Sequence, residues 1–471
     1  MGKQESSKRI TRLGNTTAVL GAGITGLSTA YKLAEKGKHV VVLEREPLMG
    51  GLAGNVERKG AIFDYGPHTF FLDDAMKEEF YRIIDSKEVN VFRTNAKIKF
   101  GNKYYHYPLD AIDILIKSNP IVIFKCLSDY ITAKVKMKTS HSVDDSAESW
   151  IINRFGETLY RIYFEKYTEK VWGLHPKFIA PSFTEERIPL LNLRQTVKAT
   201  IIKAIKRLIR GEEREKFTYI VWGHYPKKGP GAFFERLANK IHSNDGIIHL
   251  NSKLNSIHLD GRKASKVSFE KDGDIKTIEC DYVVSTIPIN ELVKQITPKA
   301  DSPILKAANL LRFRAVVFVN LLVKKQDIFE ARMLYFRNRT FNRVSETNKF
   351  SNELVPKGLT GLCAEITCDK DDETWNTDEQ QLCDKVLREL EEEDFFVRKD
   401  VVYSFVTRKE HGYPVAALNY KENLNILRDY INNIENLFVT GRQGLFRYLQ
   451  MDHCMKMGFE VAGQILSQSE R

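Results

Sequence analysis

The sequence predicts an α/β protein in which a parallel-sheet domain, pieced together from separate stretches of the chain, carries an inserted, discontinuous α+β domain. Three observations predict it. Residues 16–45 read as one strand–helix–strand unit, residues 91–230 turn to aromatic-rich segments with helical spacing, and from about residue 232 strand patterns return. A chain of 471 residues has room for about two to three domains of roughly 100–200 residues each.

The elements follow in order. TTAVLGAG is an apolar strand running into glycines, ITGLSTAYKLAEKG an amphipathic helix closed by glycine, and HVVVLERE a second buried strand, all within a first domain segment of residues 1–90. Residues 91–231 are read as the helical first part of the inserted domain, because AIDILIKSNPIVIFKCLSDYITAKVK and SAESWIINRFGETLYRIYFEKYTEK have helical spacing. IIHLNSKLNSIHLDG and SKVSFEKDGDIKTIECDYVVSTIP form strands and a hairpin bounded by Asp-Gly turns, which returns residues 232–300 to the first domain. RAVVFVNLLVK, GLTGLCAEITC and the acidic helix EQQLCDKVLRELEEEDF assign residues 301–405 to the second. In residues 406–471, NLFVTGRQGLFRYLQMDHCMKMGFEVAGQIL is a strand, a glycine turn and a helix that complete the first domain over its ligand. Neither an internal repeat nor a low-complexity linker separates these parts.

Composition excludes several classes. With 42% hydrophobic and 28% charged residues, and no run near the ~18 apolar residues of a membrane span, a soluble protein is expected. The opening MGKQESSKRITRLGN is polar and basic and lacks a signal-peptide core. Cys126, Cys280, Cys363, Cys368, Cys383 and Cys454 show no C-x-x-C spacing, so neither a zinc site nor a disulfide framework is expected and a cytoplasmic location fits. The net charge of +11 suits an anionic ligand, although such an excess is more often a solvated exterior. Nucleic acid is not an expected partner, since RNA-binding signatures, zinc-finger spacing and a long basic tail are all missing. Oligomeric state is not legible.

Gly21, Gly23 and Gly26 form G-A-G-I-T-G between the first strand and its helix, where the missing side chains let the backbone turn tightly and approach a pyrophosphate. The helix N-terminus adds free N–H groups and partial positive charge. Glu44 ends the second strand, at the position of an acidic residue that accepts both ribose hydroxyls. Together these make a Rossmann-type dinucleotide site, which NAD would satisfy as well as FAD. The following REPLMGGLAG, with Gly50, Gly51 and Gly54, resembles the extended motif of the FAD amine oxidase superfamily. DYVVSTIP (residues 281–288) and GRQGLF with the helix after it are similar to that superfamily's later flavin-domain segments. The resemblance implies FAD as cofactor, an inserted α+β substrate domain, and flavin contacts from Gly441, Arg442 and Met451.

Within the superfamily the sequence resembles UDP-galactopyranose mutases and protoporphyrinogen-oxidase-like proteins. FDYGPHTFF is similar to the mutase histidine loop, which implies His68 near the flavin, and YTEKVWGLHP to the segment that places a tryptophan, here Trp172, beside it. EERIP, FNRVSETNKF and HGYP place Arg187, Arg343 and Tyr413 at mutase diphosphate-contact positions, and GRQGLFRYLQMDH adds Tyr448. Guanidinium groups and tyrosine hydroxyls suit a nucleotide-sugar diphosphate, so an anionic small-molecule substrate is implied.

Two departures stand out. LLNLRQTVKATIIKAIKRLIRGEEREK occupies the place of the bacterial uridine-binding stretch, and Gln450 replaces an acidic residue of the C-terminal motif. Within that insertion, residues 196–210 alternate an isoleucine-rich side with a basic side, which is the pattern of a helix packed on the core or, less readily, of one touching an anionic membrane. Three functional readings stay open: a mutase-like isomerase using flavin N5 as nucleophile, an oxidoreductase of the amine oxidase or protoporphyrinogen oxidase type, and a catalytically silent flavin-binding scaffold.

Overall fold

The computed structural model describes residues 16–109, 111–139, 143–187 and 222–469. The basic segment 196–210 lies outside the described residues. At the centre is a parallel sheet in the spatial order Leu437–Val439, Tyr282–Ser285, Thr16–Leu20, His39–Leu43, Ile247–His249. Its inner strands are apolar on both faces, as a parallel sheet covered on both sides requires. The period of two then sorts their side chains. Val19, Val40 and Val42 meet the helices Ile24–Glu35, Pro230–His242 and Met451–Ser469, through Leu27, Phe233, Leu237 and Met455. Ala18, Leu20, Val41 and Leu43 meet a small sheet of residues 253–279 and three further helices, through Val267, Leu292 and Leu427.

The second sheet has seven strands in the order Val401–Pro414, Phe313–Val323, Thr360–Cys368, Arg343–Glu346, Met333–Phe336, Ala96–Phe100, Lys103–His106. Leu382, Val386, Leu387 and Leu390 of the helix Glu379–Glu391 fill one of its faces. Two boundaries differ from the expected ones. The strand Val401–Pro414 pairs along Phe313–Val323 up to Pro414, so the second domain continues past residue 405. Residues 96–106 are a hairpin turned at Gly101–Asn102, not helix. In AKIKFGNKYYH lysines alternate with apolar residues at the period of a strand. From residue 111 to 187 the helical reading holds, with helices Ala111–Lys117, Pro120–Thr139, Ala147–Phe155 and Lys166–Trp172, the third leading through a short turn into a π-helical stretch, Tyr160–Glu165, whereas Trp222–Pro226, at the end of the same expected helical segment, is a strand paired with Val89–Arg93.

Candidate functional site

The first strand hands over to its helix at Gly23, which caps the helix with no side-chain hydrogen bond and so leaves the first N–H groups available to a ligand. The three glycines of the motif have different surroundings. A Cβ on Gly21, whose φ is +99°, would lie 2.5 Å from Thr286 Oγ1, and one on Gly26 only 2.0 Å from the Gly21 carbonyl oxygen. One on Gly23 would have no atom within 4 Å. Gly23 therefore opens on the space where a pyrophosphate would lie. Gly50 bridges to Gly23, and its N–H donates to the Ala22 carbonyl at 2.8 Å. A Cβ on Gly51 would come within 3.6 Å of Gly23 Cα, so this loop too presses on the cradle.

Glu44 is buried at the end of the second strand, and its two carboxylate oxygens accept the Ala22 and Glu46 N–H groups at 2.8 and 2.9 Å. Burial pushes its carboxyl above the usual range. Glu44 thus has a structural task, holding the glycine loop against the strand, in addition to its expected place at the ribose.

At the same end of the first helix, Gly441 (φ +78°) brings its backbone against Thr25, with a Cβ position 2.8 Å from Thr25 Oγ1. Arg442 donates to the carbonyls of Leu449 at 3.1 Å and Gly412 at 2.8 Å, tying this segment to the second sheet. Its guanidinium lies 4.3 Å from the Tyr448 ring centroid and 5.2 Å from that of Tyr413. Met451 is buried at the start of the last helix. Arg442 Nε and Gln443 Oε1 are buried with no partner among the described residues, polar atoms of the kind a bound cofactor satisfies. An uncapped helix end, an open glycine and orphaned polar atoms along one path fit a dinucleotide cofactor such as FAD.

Beside this path the second sheet lays out a row of side chains by register. Tyr335 pairs with Arg343, and Arg343 with Glu365, on three adjacent strands. The Arg343 guanidinium grips Glu365 with Nε to Oε1 at 2.6 Å and Nη2 to Oε2 at 2.7 Å, while Nη1 reaches the Tyr335 hydroxyl at 3.3 Å. Burial raises the Glu365 carboxyl against the pull of Arg343, and Glu365 in turn holds Arg343 charged in spite of its burial. Tyr335 stacks on Tyr107 with centroids 4.4 Å apart and faces Tyr167 edge-on. Tyr413 stacks on Tyr448 at 5.8 Å, and Trp172 meets Tyr413 and Phe183 edge-on. His68, Tyr335, Arg343 and Tyr413 sit deep in the chain yet keep accessible surface, which makes them the lining of a cleft.

His68, Trp172, Arg343, Tyr413, Arg442 and Tyr448 are therefore brought together. Arg187 closes the helix Pro181–Arg187, and its side chain lies outside the described residues. Gln450 is exposed. Arg343 differs from its expected role in one respect: with Nε and one Nη2 hydrogen committed to Glu365 and Nη1 reaching Tyr335, it has only the outer Nη1 and Nη2 hydrogens to offer a phosphate. The sequence reading missed Glu365, Tyr335 and Tyr167. Tyr167 stands five positions before Trp172 in a motif already singled out, and Glu365 is the lone charge in the apolar strand GLTGLCAEITC. Elsewhere Glu148, Glu165 and His175 offer ligand atoms within 4.8 Å of one another. His175 Nδ1 accepts the Lys177 N–H at 3.3 Å, which leaves its proton on Nε2, the atom facing Glu165 at 3.5 Å. That tautomer turns an N–H instead of a lone pair towards the carboxylates and opposes an ion there.

Two buried groups near the cleft titrate in opposite senses. The Gly66 carbonyl at 2.7 Å can only accept, so His68 Nδ1 carries the proton and Nε2 the lone pair. Burial, helped by Arg442 and Arg343, pushes His68 down to about 4. The folded state thus disfavours its protonation, and His68 costs stability as pH falls from about 6.5 towards 4. Asp64 receives the Tyr225 hydroxyl at 2.6 Å, and burial pushes it up to about 7. Its contribution is complete below about pH 4 and is lost as pH rises to about 7. Melting midpoints should therefore respond oppositely: Asp64→Asn should remove a loss on raising pH through this window, and His68→Gln a loss on lowering it. Parallel pH profiles for both variants and the parent would show that neither group titrates as described.

The comparisons agree with this geometry. The family model described as flavin containing amine oxidoreductase matches residues 24–466. A protein named "Probable UDP-galactopyranose mutase" from Klebsiella pneumoniae is 25% identical over 178 residues, 36% of this chain and 44% of that one. The mitochondrial protoporphyrinogen oxidase of Nicotiana tabacum is 26% identical over 230 residues, 45% of this chain and 42% of that one. The chain thus matches less than half the length of either relative. A crystal structure of reduced UDP-galactopyranose mutase superposes with a TM-score of 0.80 at 19% identity, covering 98% of this chain and 95% of that one, a likeness of fold. The match over nearly the whole chain, with the glycine cradle and the cleft beside it, makes the protein an FAD enzyme of the flavin containing amine oxidoreductase family.

Proposed function

We propose that this enzyme acts on a nucleotide sugar or another diphosphate-bearing small molecule, in the manner of the UDP-galactopyranose mutases. The observation that carries the reading is the convergence of two guanidinium groups and four tyrosines, Tyr167, Tyr335, Tyr413 and Tyr448, on one cleft beside the cofactor path. Bound FAD supplies a ring nitrogen that is nucleophilic when reduced and hydride-accepting when oxidised. The chain's own groups bind and orient the substrate. Burial pushes Tyr413 up to about 12 and raises Tyr167 and Tyr335 as well, so these hydroxyls stay protonated and able to donate to phosphate oxygens. The outer Nη1 and Nη2 hydrogens of Arg343 add charged donors at the place where a departing diphosphate accumulates charge. His68, neutral near pH 7, presents Nε2 as an acceptor for a sugar hydroxyl.

One observation favours a second reading, oxidation of an uncharged organic substrate. The pairing of Arg343 with Glu365 cancels much of the positive charge, and the remaining cleft is walled by aromatic rings.

Oxidation state separates the two. After anaerobic dithionite reduction the mutase reading expects a nucleotide-sugar isomer to accumulate while the flavin spectrum stays reduced. Idle reduced enzyme, together with bleaching of the oxidised flavin by an organic substrate and its recovery in air, would sink that reading. The binding residues give a further expectation. Tyr448→Phe and Arg187→Ala should keep their flavin and bind UDP or a UDP-sugar at least about tenfold more weakly, each having lost a hydrogen bond to a charged group. Undiminished UDP binding in a calorimetric titration would remove both from the substrate site.

A further inference from the structure

The turn that carries His68 is held at both ends by one strand, Trp222–Pro226. At the far end Phe70 exchanges backbone hydrogen bonds with His224, at 3.0 and 2.9 Å. At the near end the Tyr225 hydroxyl donates to Asp64 Oδ2 at 2.6 Å. Tyr225 is 1% exposed and packed by Phe92 and Phe350, so its hydroxyl cannot turn to water instead. Within the turn the Gly66 N–H donates to the Asp64 carbonyl at 2.8 Å, and the Gly66 carbonyl accepts from His68 Nδ1 at 2.7 Å. The place of the imidazole therefore follows from that of Asp64.

A carboxyl is an uncommon choice for this place. Among the described residues no cation pairs with Asp64, and its Oδ1 is buried with no hydrogen-bond partner. The groups that face it are neutral. They are Tyr225 from the strand, the His68 N–H from the turn, Asn55 opposite it on the paired strand, and Cys363 from the larger sheet, whose Sγ donates to the Asp64 carbonyl at 3.9 Å. Burial raises both the Tyr225 hydroxyl and the Cys363 thiol, which keeps them protonated. Beyond Cys363, Arg343 and Glu365 largely cancel each other's charge. A buried carboxyl without a cation costs stability that an apolar residue would not, and such costs concentrate at functional sites.

We propose that Asp64, gripped by Tyr225, is the positioning residue for His68: its carboxyl sets the turn that carries the imidazole to the flavin. The inference rests on the reading of His68 as a neighbour of the flavin. As a carboxylate, Asp64 draws the Tyr225 O–H and the His68 N–H towards itself. As a neutral acid it accepts both more weakly, and the turn relaxes. Burial places this change at about 7, well above the value of about 4 for His68. The imidazole therefore stays neutral throughout and moves without changing its charge.

The test records the flavin absorbance spectrum of the FAD-loaded full chain between about pH 5 and 9. The parent is expected to change its spectrum in one step at about pH 7. Asp64→Asn cannot ionise and should show no step. Tyr225→Phe loses the hydroxyl that favours the carboxylate, so its step should move up by at least about one pH unit. His68→Gln should lose the step from the flavin spectrum, while its melting midpoint still responds to pH in the same window because Asp64 still titrates. Should Asp64→Asn fail to hold FAD, Tyr225→Phe decides alone. The proposal is overturned if the parent shows no step, or if Asp64→Asn or Tyr225→Phe titrates as the parent does. It is also overturned if His68→Gln keeps the step, since Asp64 would then act on the flavin without the histidine. The reading beneath it fails differently, in a His68→Gln spectrum that matches the parent's at every pH. A His68→Gln spectrum displaced from the parent's upholds that reading even where the proposal falls.

Discussion

Glu365→Leu is expected to destabilise the enzyme by about 3–5 kcal/mol, because it strands the Arg343 guanidinium in a buried site. Glu365 supplies both oxygens of a two-pronged pair at 2.6 and 2.7 Å, and among the described residues no other carboxylate bonds this guanidinium. Removing one partner leaves the full desolvation penalty of the other uncompensated. The double variant Glu365→Leu with Arg343→Met removes both charges and should recover much of the loss, since an apolar replacement of a buried pair is often neutral. Urea unfolding of the parent, both single variants and the double variant measures this directly. A Glu365→Leu protein as stable as its parent would show that water reaches Arg343 freely. The neighbouring backbone fits the same picture: Gly66 has a φ of +75°, and a Cβ there would lie 2.8 Å from Glu365 Oε1, so glycine makes room for the pair.

Gly26→Ala should be nearly as damaging and should strike the cofactor first. The added methyl would sit 2.0 Å from the Gly21 carbonyl oxygen and 3.3 Å from Val19 Cγ1, atoms of the strand on which the helix rests. Neither the carbonyl nor the helix can yield locally, so the helix must lift from the sheet. Overpacking of this kind costs about 1–3 kcal/mol and sometimes more. The displacement also moves the uncapped N–H groups away from the pyrophosphate. The expected outcome is a colourless or readily bleached protein with a lowered melting midpoint, read by flavin absorbance after gel filtration. Gly23→Ala provides the contrast. It meets no protein atom within 4 Å, so any loss there reports on the ligand alone. Full flavin retention by Gly26→Ala would mean that helix and strand separate more easily than their packing indicates.

The cofactor half of the site was legible because its signals are local. Strand, glycines, helix and Glu44 fall within about thirty residues, and each obeys a rule of backbone geometry that the residue types reveal. The cleft was legible only in part. His68, Trp172, Tyr413 and Tyr448 stand in motifs, whereas Glu365 acquires its meaning from Arg343, and Tyr335 from both, through strand register that no local pattern specifies. The hairpin of residues 96–106 was missed for a different reason. Its strands are short, and their lysine alternation is brief enough to be absorbed into the helical stretch after it. The helix Pro120–Thr139 was legible as a helix, but its apolar residues run round much of its circumference. Which side faces inward depends on its neighbours.

The order of the central sheet has a consequence for synthesis. Its strands come from residues 16–20, 39–43, 247–249, 282–285 and 437–439, and the helix that braces the first one comes from residues 451–469. That brace is intimate, since a Cβ on Gly458 would approach the Thr25 carbonyl to 2.5 Å. A nascent chain emerging from the ribosome therefore exposes the apolar strands around GAGITG long before their neighbours exist. Non-local pairing of this kind is slow and prone to aggregation. Residues 437–469 must emerge before the cradle acquires its edge strand and its brace, so stable capture of the flavin falls late in production. Holdase chaperones that shield Thr16–Leu20 and His39–Leu43 during that interval are expected to raise the yield of yellow protein.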